Sequence, residues 1–171
     1  MLTPFSEDQA TLAARRASLE QLLHAEIPLA AGMRVAVDAI SPQGLWLSMP
    51  LAPNRNPHQT AFAGSLNALC TLAGWAATHL LVEQLGVRAA TVIRRSSIKF
   101  HQPVETPRVV AHCLQLRQPH WEYFVEMLTE KGQAKLDHVV EIPGADPSRP
   151  AVLFAGSYVV HHAEPQAGGV A

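Results

Sequence analysis

The sequence predicts an α+β fold in which one curved antiparallel β-sheet wraps around a single apolar helix. Three features lead to it. Alternating, strand-like segments outnumber helical ones, and several follow one another directly. The regular strand–helix alternation of a doubly wound parallel sheet is absent. One helical stretch, residues 64–85, is apolar around much of its circumference, so other elements have to surround it. The 171 residues make one domain, 1–163, followed by a loose tail, 164–171. With 48% apolar and 16% charged residues, a chain of this size buries a sizeable core without disulfide or metal staples.

The first element is an N-terminal helix over residues 6–25. Ser6 is placed as its N-cap, with Glu7 and Asp8 in the positive first turn. Leu12, Leu19, Leu22 and Leu23 recur at helical spacing until Pro28 stops the helix. A hairpin follows: Met33, Val35, Val37 and Ile40 lie in one strand, Leu45, Leu47 and Met49 share a face of the next, and Ser41-Pro-Gln-Gly44 makes the turn. Residues 52–63 carry two prolines and two asparagines, so they form a loop running straight into Gly64-Ser65 and the apolar helix, which Gly86 ends. Strands over 90–101 and 109–117 come next, with a bend between Pro103 and Pro107. Trp121, Phe124, Val125 and Leu128 fall at i, i+3, i+4 and i+7, a helical stripe that Pro119 starts and Gly132 ends. Ala134, Leu136, His138, Val140 and Ile142 then alternate with polar residues, and residues 151–161 form the last strand.

Composition removes several functions. A formal net charge of −1 leaves no general basic field for a nucleic-acid backbone. Cys70 and Cys113 cannot build a disulfide framework and form no C-x-x-C pair, so reduced, buried thiols in a cytoplasmic protein are expected. The first residues show neither a basic n-region nor an apolar h-region, so no secretory signal is expected. Asn67, Thr71, Thr78 and His79 interrupt the most apolar stretch, which reads as a buried helix rather than a membrane insertion. Low charge with high apolar content also points to an interface on part of the surface.

Several spaced motifs point further. They are Thr60-Ala-Phe-Ala-Gly-Ser65 after the Asn-rich loop, Leu72-Ala-Gly-Trp75 in the apolar helix, Ser96-Ser-Ile-Lys-Phe-His-Gln-Pro-Val104, Lys131-Gly132, and Phe154-Ala-Gly-Ser-Tyr158. Over residues 19–160 the chain resembles the hotdog-fold thioesterase family typified by the C-terminal domain of YiiD. The resemblance implies a homodimer whose two sheets join edge to edge, sometimes pairing into tetramers. It implies acyl thioesters of coenzyme A or acyl carrier protein bound at the protomer boundary. It implies no required metal or other cofactor, coenzyme A being part of the substrate.

Thioester hydrolysis needs a held water, donors for the carbonyl oxygen and a channel for the pantetheine arm. The backbone N–H groups at Gly64 and Ser65 can hold a developing oxyanion, because a helix start carries about +0.5 of an elementary charge. The alternative is a tight turn with Ser65 as a cap. In phenylacetyl-CoA-type hotdog thioesterases a polar residue stands seven positions before the first Gly of a Gly-Gly turn. That turn is Ala63-Gly64 here, so the likeness puts Asn56 at that position, to orient carbonyl or water; the alternative is an Asx turn beside Pro57. Those enzymes carry a carboxylate eight positions after the first Gly, where this chain has Thr71, and the helix offers no acid before Glu83. Thr71 either positions a water or bonds back to its own helix. His58 is the imidazole of the loop and the substitute base, or simply a solvated side chain.

Arg94, Arg95, Lys99 and Arg108 are the candidate contacts for coenzyme A phosphates, with ordinary solvated charges as the alternative. Alternation places Arg94 with Ser96 on one face and Arg95 with Ser97 and Lys99 on the other. His161-His162 has no Cys, Asp or third His at ligand spacing, so it reads as a strand end rather than a metal site. Two rival functions remain. Asn54-Arg-Asn-Pro-His58 is similar to the hydratase loop Asp-x-Asn-Pro-x-His, but lacks its Asp and the spacer before its His. A non-catalytic acyl-CoA or lipid binder on the same scaffold is the other, and the missing carboxylate at Thr71 is its warrant.

Overall fold

The computed structural model describes residues 4–5 and 8–162. The expected arrangement is present: a six-stranded, wholly antiparallel sheet in the order β1-β2-β4-β5-β6-β3 curls around one long helix. Its elements are α1 (Gln9–Glu26), α2 (Pro28–Met33), β1 (Ala36–Ser41), β2 (Gly44–Pro50), α3 (Ala63–Gln84), β3 (Ala89–Phe100), β4 (Arg108–Leu114), α4 (Gln118–Lys131), β5 (Gln133–Ile142) and β6 (Val152–His162). The predicted loose tail lies outside the described residues.

The N-terminal helix starts later than its sequence pattern suggests. Ser6 and Glu7 lie outside the described residues, and Asp8 is the N-cap, its carboxylate accepting the Thr11 N–H at 2.9 Å. Pro28 does not simply stop the chain. It sits in the first turn of a second, short helix, where its fixed φ fits and its missing N–H costs nothing. Met33 and Val35, expected in the first strand, are buried but precede it: α2 ends at Arg34 in the left-handed region (φ 57°), and β1 begins at Ala36.

The helix α3 fills the curved face of the sheet. It is long and apolar enough to cross a membrane by length and composition, yet 67% of its apolar window is buried, which marks it as the core helix. Leu45, Leu47 and Met49 of β2, Val109 and Ala111 of β4, and Phe154 of β6 are buried in the same core. Gly74 is needed there, because Tyr158 lies directly on the helix at that point: a Cβ would sit 2.4 Å from its hydroxyl and 2.6 Å from its ring. That hydroxyl donates to the Thr71 carbonyl at 2.8 Å.

A polar chain crosses the same interface. The Thr78 hydroxyl donates its one proton to the Gly74 carbonyl (2.9 Å), so the 3.0 Å contact with His138 Nε2 requires the imidazole to donate. His138 Nδ1 is then the acceptor facing Cys113 Sγ at 3.6 Å. Burial holds the His138 imidazole neutral, its pKa pushed down to about 4, and pushes the Cys113 thiol upward. Cys70 and Cys113 are free and buried, as the sequence predicts.

The two edges of the sheet are treated differently. Edge β1 is covered by α1, whose Glu20 accepts the Val37 N–H (2.7 Å) and whose Arg16 donates to the Asp38 carbonyl (3.1 Å). Edge β3 is twelve residues long, and no helix among the described residues covers it in this way. Among the described residues only Trp75 Nε1, donating to the Thr91 carbonyl at 3.1 Å, reaches its backbone from outside β6. Val92, Ile93 and Phe100 on that strand are 52%, 38% and 48% exposed. A long, bare, partly apolar edge is what sheet proteins otherwise avoid.

Candidate active site

The loop before α3 is built by its two asparagines, each doing something different. Asn54 closes one 3₁₀ turn and is buried, its amide donating to the carbonyls of Met33 (2.9 Å) and Pro50 (2.8 Å). An aspartate there would aim a carboxylate at two carbonyl oxygens. The position that matches the hydratase Asp is therefore a clamp between α2 and β2.

Asn56 organises the next turn: Oδ1 accepts the N–H groups of His58 (2.9 Å) and Thr60 (3.3 Å), and Nδ2 donates to Thr60 Oγ1 (2.8 Å). One amide proton of Asn56 is left without a partner among the described residues. The loop is pinned at its end by Ala61 N–H to the Val104 carbonyl and Phe62 N–H to the Asn54 carbonyl, both 2.8 Å.

That rigid loop delivers the start of α3 with its donors uncapped. Phe62 is the N-cap residue, and no side chain caps the helix, so Ser65 does not take the capping role. The first intrahelical bond runs from Leu66 N–H to the Phe62 carbonyl at 3.0 Å, so the N–H groups of Ala63, Gly64 and Ser65 precede it. The Phe62 ring folds back over this turn: a Cβ on Gly64 would lie 2.4 Å from it. Ala63 and Gly64 are exposed and Ser65 is half-buried.

The face of α3 that its own sheet leaves uncovered is a stripe at helical spacing: Gly64, Asn67, Ala68, Thr71, Trp75 and His79 are all exposed or half-buried. Thr71 thus shares a face with Gly64, but lies about 10 Å further along the axis at 1.5 Å per residue. The back-bonding threonine of this helix is Thr78, not Thr71. Asn67 is the residue that sequence reasoning passed over. It is exposed, one turn from Gly64, and its amide has no partner among the described residues. Its signal was an isolated amide in an apolar helix, three positions after the turn glycine.

The structure therefore groups Asn56 with His58 in one turn, and Gly64 with Ser65, Asn67 and Thr71 along one stripe. His58 is exposed, and only its backbone N–H enters that turn. Four cavities of about 870, 680, 520 and 450 Å³ are lined by other residues, and among the described residues Ala63 and Gly64 at the start of α3 are exposed.

The cations fall differently from the alternation rule. A register shift between Ile93 and Arg95 makes Arg94 an extra residue in β3, and it lines the groove that also holds Asp137 and Val139 of β5. Arg95 pairs in register with Ser157 and lies near Asp137, so Arg94 and Arg95 share the face turned away from α3. Lys99, opposite Leu153, follows on that face. Arg108 is engaged with the Asp38 carboxylate and donates to Ser48 Oγ at 3.1 Å, which removes it from the free cations. Among the described residues no three His, Cys, Asp or Glu side chains come together as metal ligands, and His161 and His162 end β6 exposed.

Solved structures of similar shape agree with this architecture. A protein of unknown function from Chlorobaculum tepidum TLS is 25% identical, with a TM-score of 0.82 over 95% of this chain and 98% of its own. A protein described as a "putative thioesterase" from Shewanella oneidensis is 28% identical, with a TM-score of 0.75 over 86% of this chain and 98% of its own. A thioesterase from Haemophilus influenzae, 14% identical, shares the fold with a TM-score of 0.69, covering 98% of this chain and 100% of its own. Residues 16–162 match the family described as "Putative thioesterase (yiiD_Cterm)". The chain belongs to that family, typified by the YiiD C-terminal domain, and carries its hotdog fold.

Proposed function

We propose that this protein hydrolyses acyl thioesters of coenzyme A or acyl carrier protein, in a cleft formed when two copies pair along β3. The observation that carries the reading is the uncapped start of α3 lying open on a chain whose one bare sheet edge is β3. Family membership supports the reaction class. Free, buried thiols suit a cytoplasmic setting.

In this reading the N–H groups of Gly64 and Ser65 hold the thioester carbonyl oxygen, and the helix dipole favours the oxyanion that forms as water attacks. The tetrahedral intermediate then collapses, the C–S bond breaks, and the products are a carboxylate and a free thiol. The remaining amide proton of Asn56 orients the carbonyl or the water. Asn67 and Thr71 hold water along the stripe, with His58 as a proton acceptor from the loop. Within one chain, Gly64 and Thr71 are too far apart to serve one carbonyl; a cleft shared by two copies removes that constraint, because each copy contributes a different segment. Arg95 and Lys99, exposed on β3, are suited to coenzyme A phosphates. No metal or further cofactor is needed for this chemistry.

The test is a panel of acyl-CoAs and acyl-carrier thioesters assayed for free thiol, with Asn56→Ala and Asn67→Ala alongside wild type. Saturable release by wild type that falls at least tenfold in either variant supports the proposal. No release across the panel overturns it. A second reading, a non-catalytic acyl-thioester binder, is favoured by one observation: α3 has no carboxylate before Glu83, and Glu83 is paired with Arg15 at 3.4 Å. Tight acyl-CoA binding without turnover would select it.

A further inference from the structure

We propose that the groove between α4 and the outward residues of β5 and β6 is a binding site for a single-chain amphiphile with an anionic head, such as a linear carboxylate of ten or more carbons. The groove encloses about 870 Å³, within the range of small-molecule sites. No residue of α3 or of the loop before it lines this groove, so it is separate from the candidate active site. Its lining joins two chemistries. Leu114, Phe124, Met127, Val139 and Val159 give it an apolar floor.

Four cations from four different segments converge around that floor: Arg94, Arg117, Lys131 and Lys135. The whole chain has thirteen Lys and Arg, so nearly a third of them meet at one groove in a protein of net charge −1.

Among the described residues the groove holds one carboxylate, Asp137, and it is already matched by Lys135 at 3.0 Å. Burial works against the Asp137 charge, but the Ser157 hydroxyl beside it and the cations Lys135 and Arg95 hold its carboxyl below the ordinary value. Arg117 donates to His120 Nε2 at 3.1 Å and makes no ion pair with a carboxylate among the described residues. Arg94 and Lys131 make no ion pair among the described residues. Arg94 reaches the groove only because of the extra residue in β3, so the sheet irregularity adds a cation to this face. An alkyl chain covers the apolar floor while an anionic head meets the uncompensated charges, and neither part alone satisfies the site. Pairing of two copies along β3 uses the strand's backbone groups and leaves this sheet face open.

The inference does not rest on thioester hydrolysis, because its readout is binding. Isothermal titration with acetate, decanoate and dodecanoate below their micelle concentrations is the experiment, with decanol as the uncharged control. Expected are one carboxylate per chain, no detectable acetate binding, affinity rising several-fold and up to about fifteenfold from decanoate to dodecanoate, and clearly weaker binding of decanol. Lys131→Glu with Arg117→Glu, and separately Val139→Asp, all exposed or half-buried positions, are expected to lower dodecanoate affinity at least tenfold with unchanged circular dichroism. Four results overturn the proposal. They are no binding at any chain length, affinity untouched by either groove variant, and loss of binding in Asn67→Asp but not in the groove variants, which would place the chain in the cleft at α3. The fourth is a change of oligomeric mass in the groove variants without carboxylate binding to wild type, which would make this face a contact between copies.

Discussion

Replacing Gly74 by alanine sets two opposed effects against each other in the middle of α3. On helix propensity alone the change stabilises by about 1 kcal/mol, because glycine is the poorer helix former. Against it stands the Tyr158 side chain, fully buried, with its hydroxyl 2.4 Å and its ring 2.6 Å from where the new Cβ would sit. Contacts that short force the ring or the helix to move, and overpacking of this kind costs about 1–3 kcal/mol. A displaced ring also loses its 2.8 Å hydrogen bond to the Thr71 carbonyl, worth about 1 kcal/mol. The clash wins, leaving a net destabilisation of about 1–3 kcal/mol. At about 2–4 °C per kcal/mol for a chain of this size, Tm falls by several degrees. Urea denaturation at fixed protein concentration measures it, with Tyr158→Phe as the partner variant. Removing the hydroxyl relieves the shortest contact but not the ring contacts, so the double variant recovers only part of the loss. A Gly74→Ala protein as stable as wild type, or more so, would refute the claim that this glycine is there to seat Tyr158.

Three further outcomes are expected. Because burial lowers the His138 pKa to about 4 from an ordinary 6.5, the unfolded chain binds the extra proton between those values. Stability is therefore full above about pH 6.5 and falls as pH drops toward 4, by roughly 3 kcal/mol; His138→Gln should flatten that window in urea titrations, and an unchanged slope would refute the assignment. Asn54→Asp keeps the shape but turns the donor between two carbonyls into an acceptor, costing about 2–4 kcal/mol in the same assay; a neutral change would mean that the amide clamp contributes little. Ile93→Glu places a charge on the bare edge of β3 and should reduce the mass seen by light scattering toward the 18.5 kDa of one chain, with loss of turnover; a monomer with full activity would rule out a shared cleft.

Local rules were enough for most elements. The stripe Trp121, Phe124, Val125 and Leu128 with Pro119 before it and Gly132 after it specifies α4, because capping and periodicity act within a few residues. The same holds for the β1–β2 turn and for the apolar α3, whose lack of a polar face requires a surrounding sheet. The beginning of α1 and the role of Pro28 were less legible, since several residues near each end satisfy the same capping chemistry and only the packed chain selects among them. At the site, Gly64 stood out through the turn it occupies, and Asn56 through the family likeness. Asn67 did not, because its place on the uncovered stripe depends on which side of α3 the sheet leaves open.

Sequence by itself determined the α+β class, the buried helix and the turn that opens α3, which follow from short-range periodicity and turn chemistry, while the family came from the resemblance of its spaced motifs. Tertiary structure alone decided that α1 covers edge β1 while β3 stays bare, that Asn54 is a clamp, and that Arg94 and Arg95 share a face. Those outcomes depend on strand order and on one extra residue in a register. Both are fixed by pairing between segments far apart in the chain, which no local pattern records.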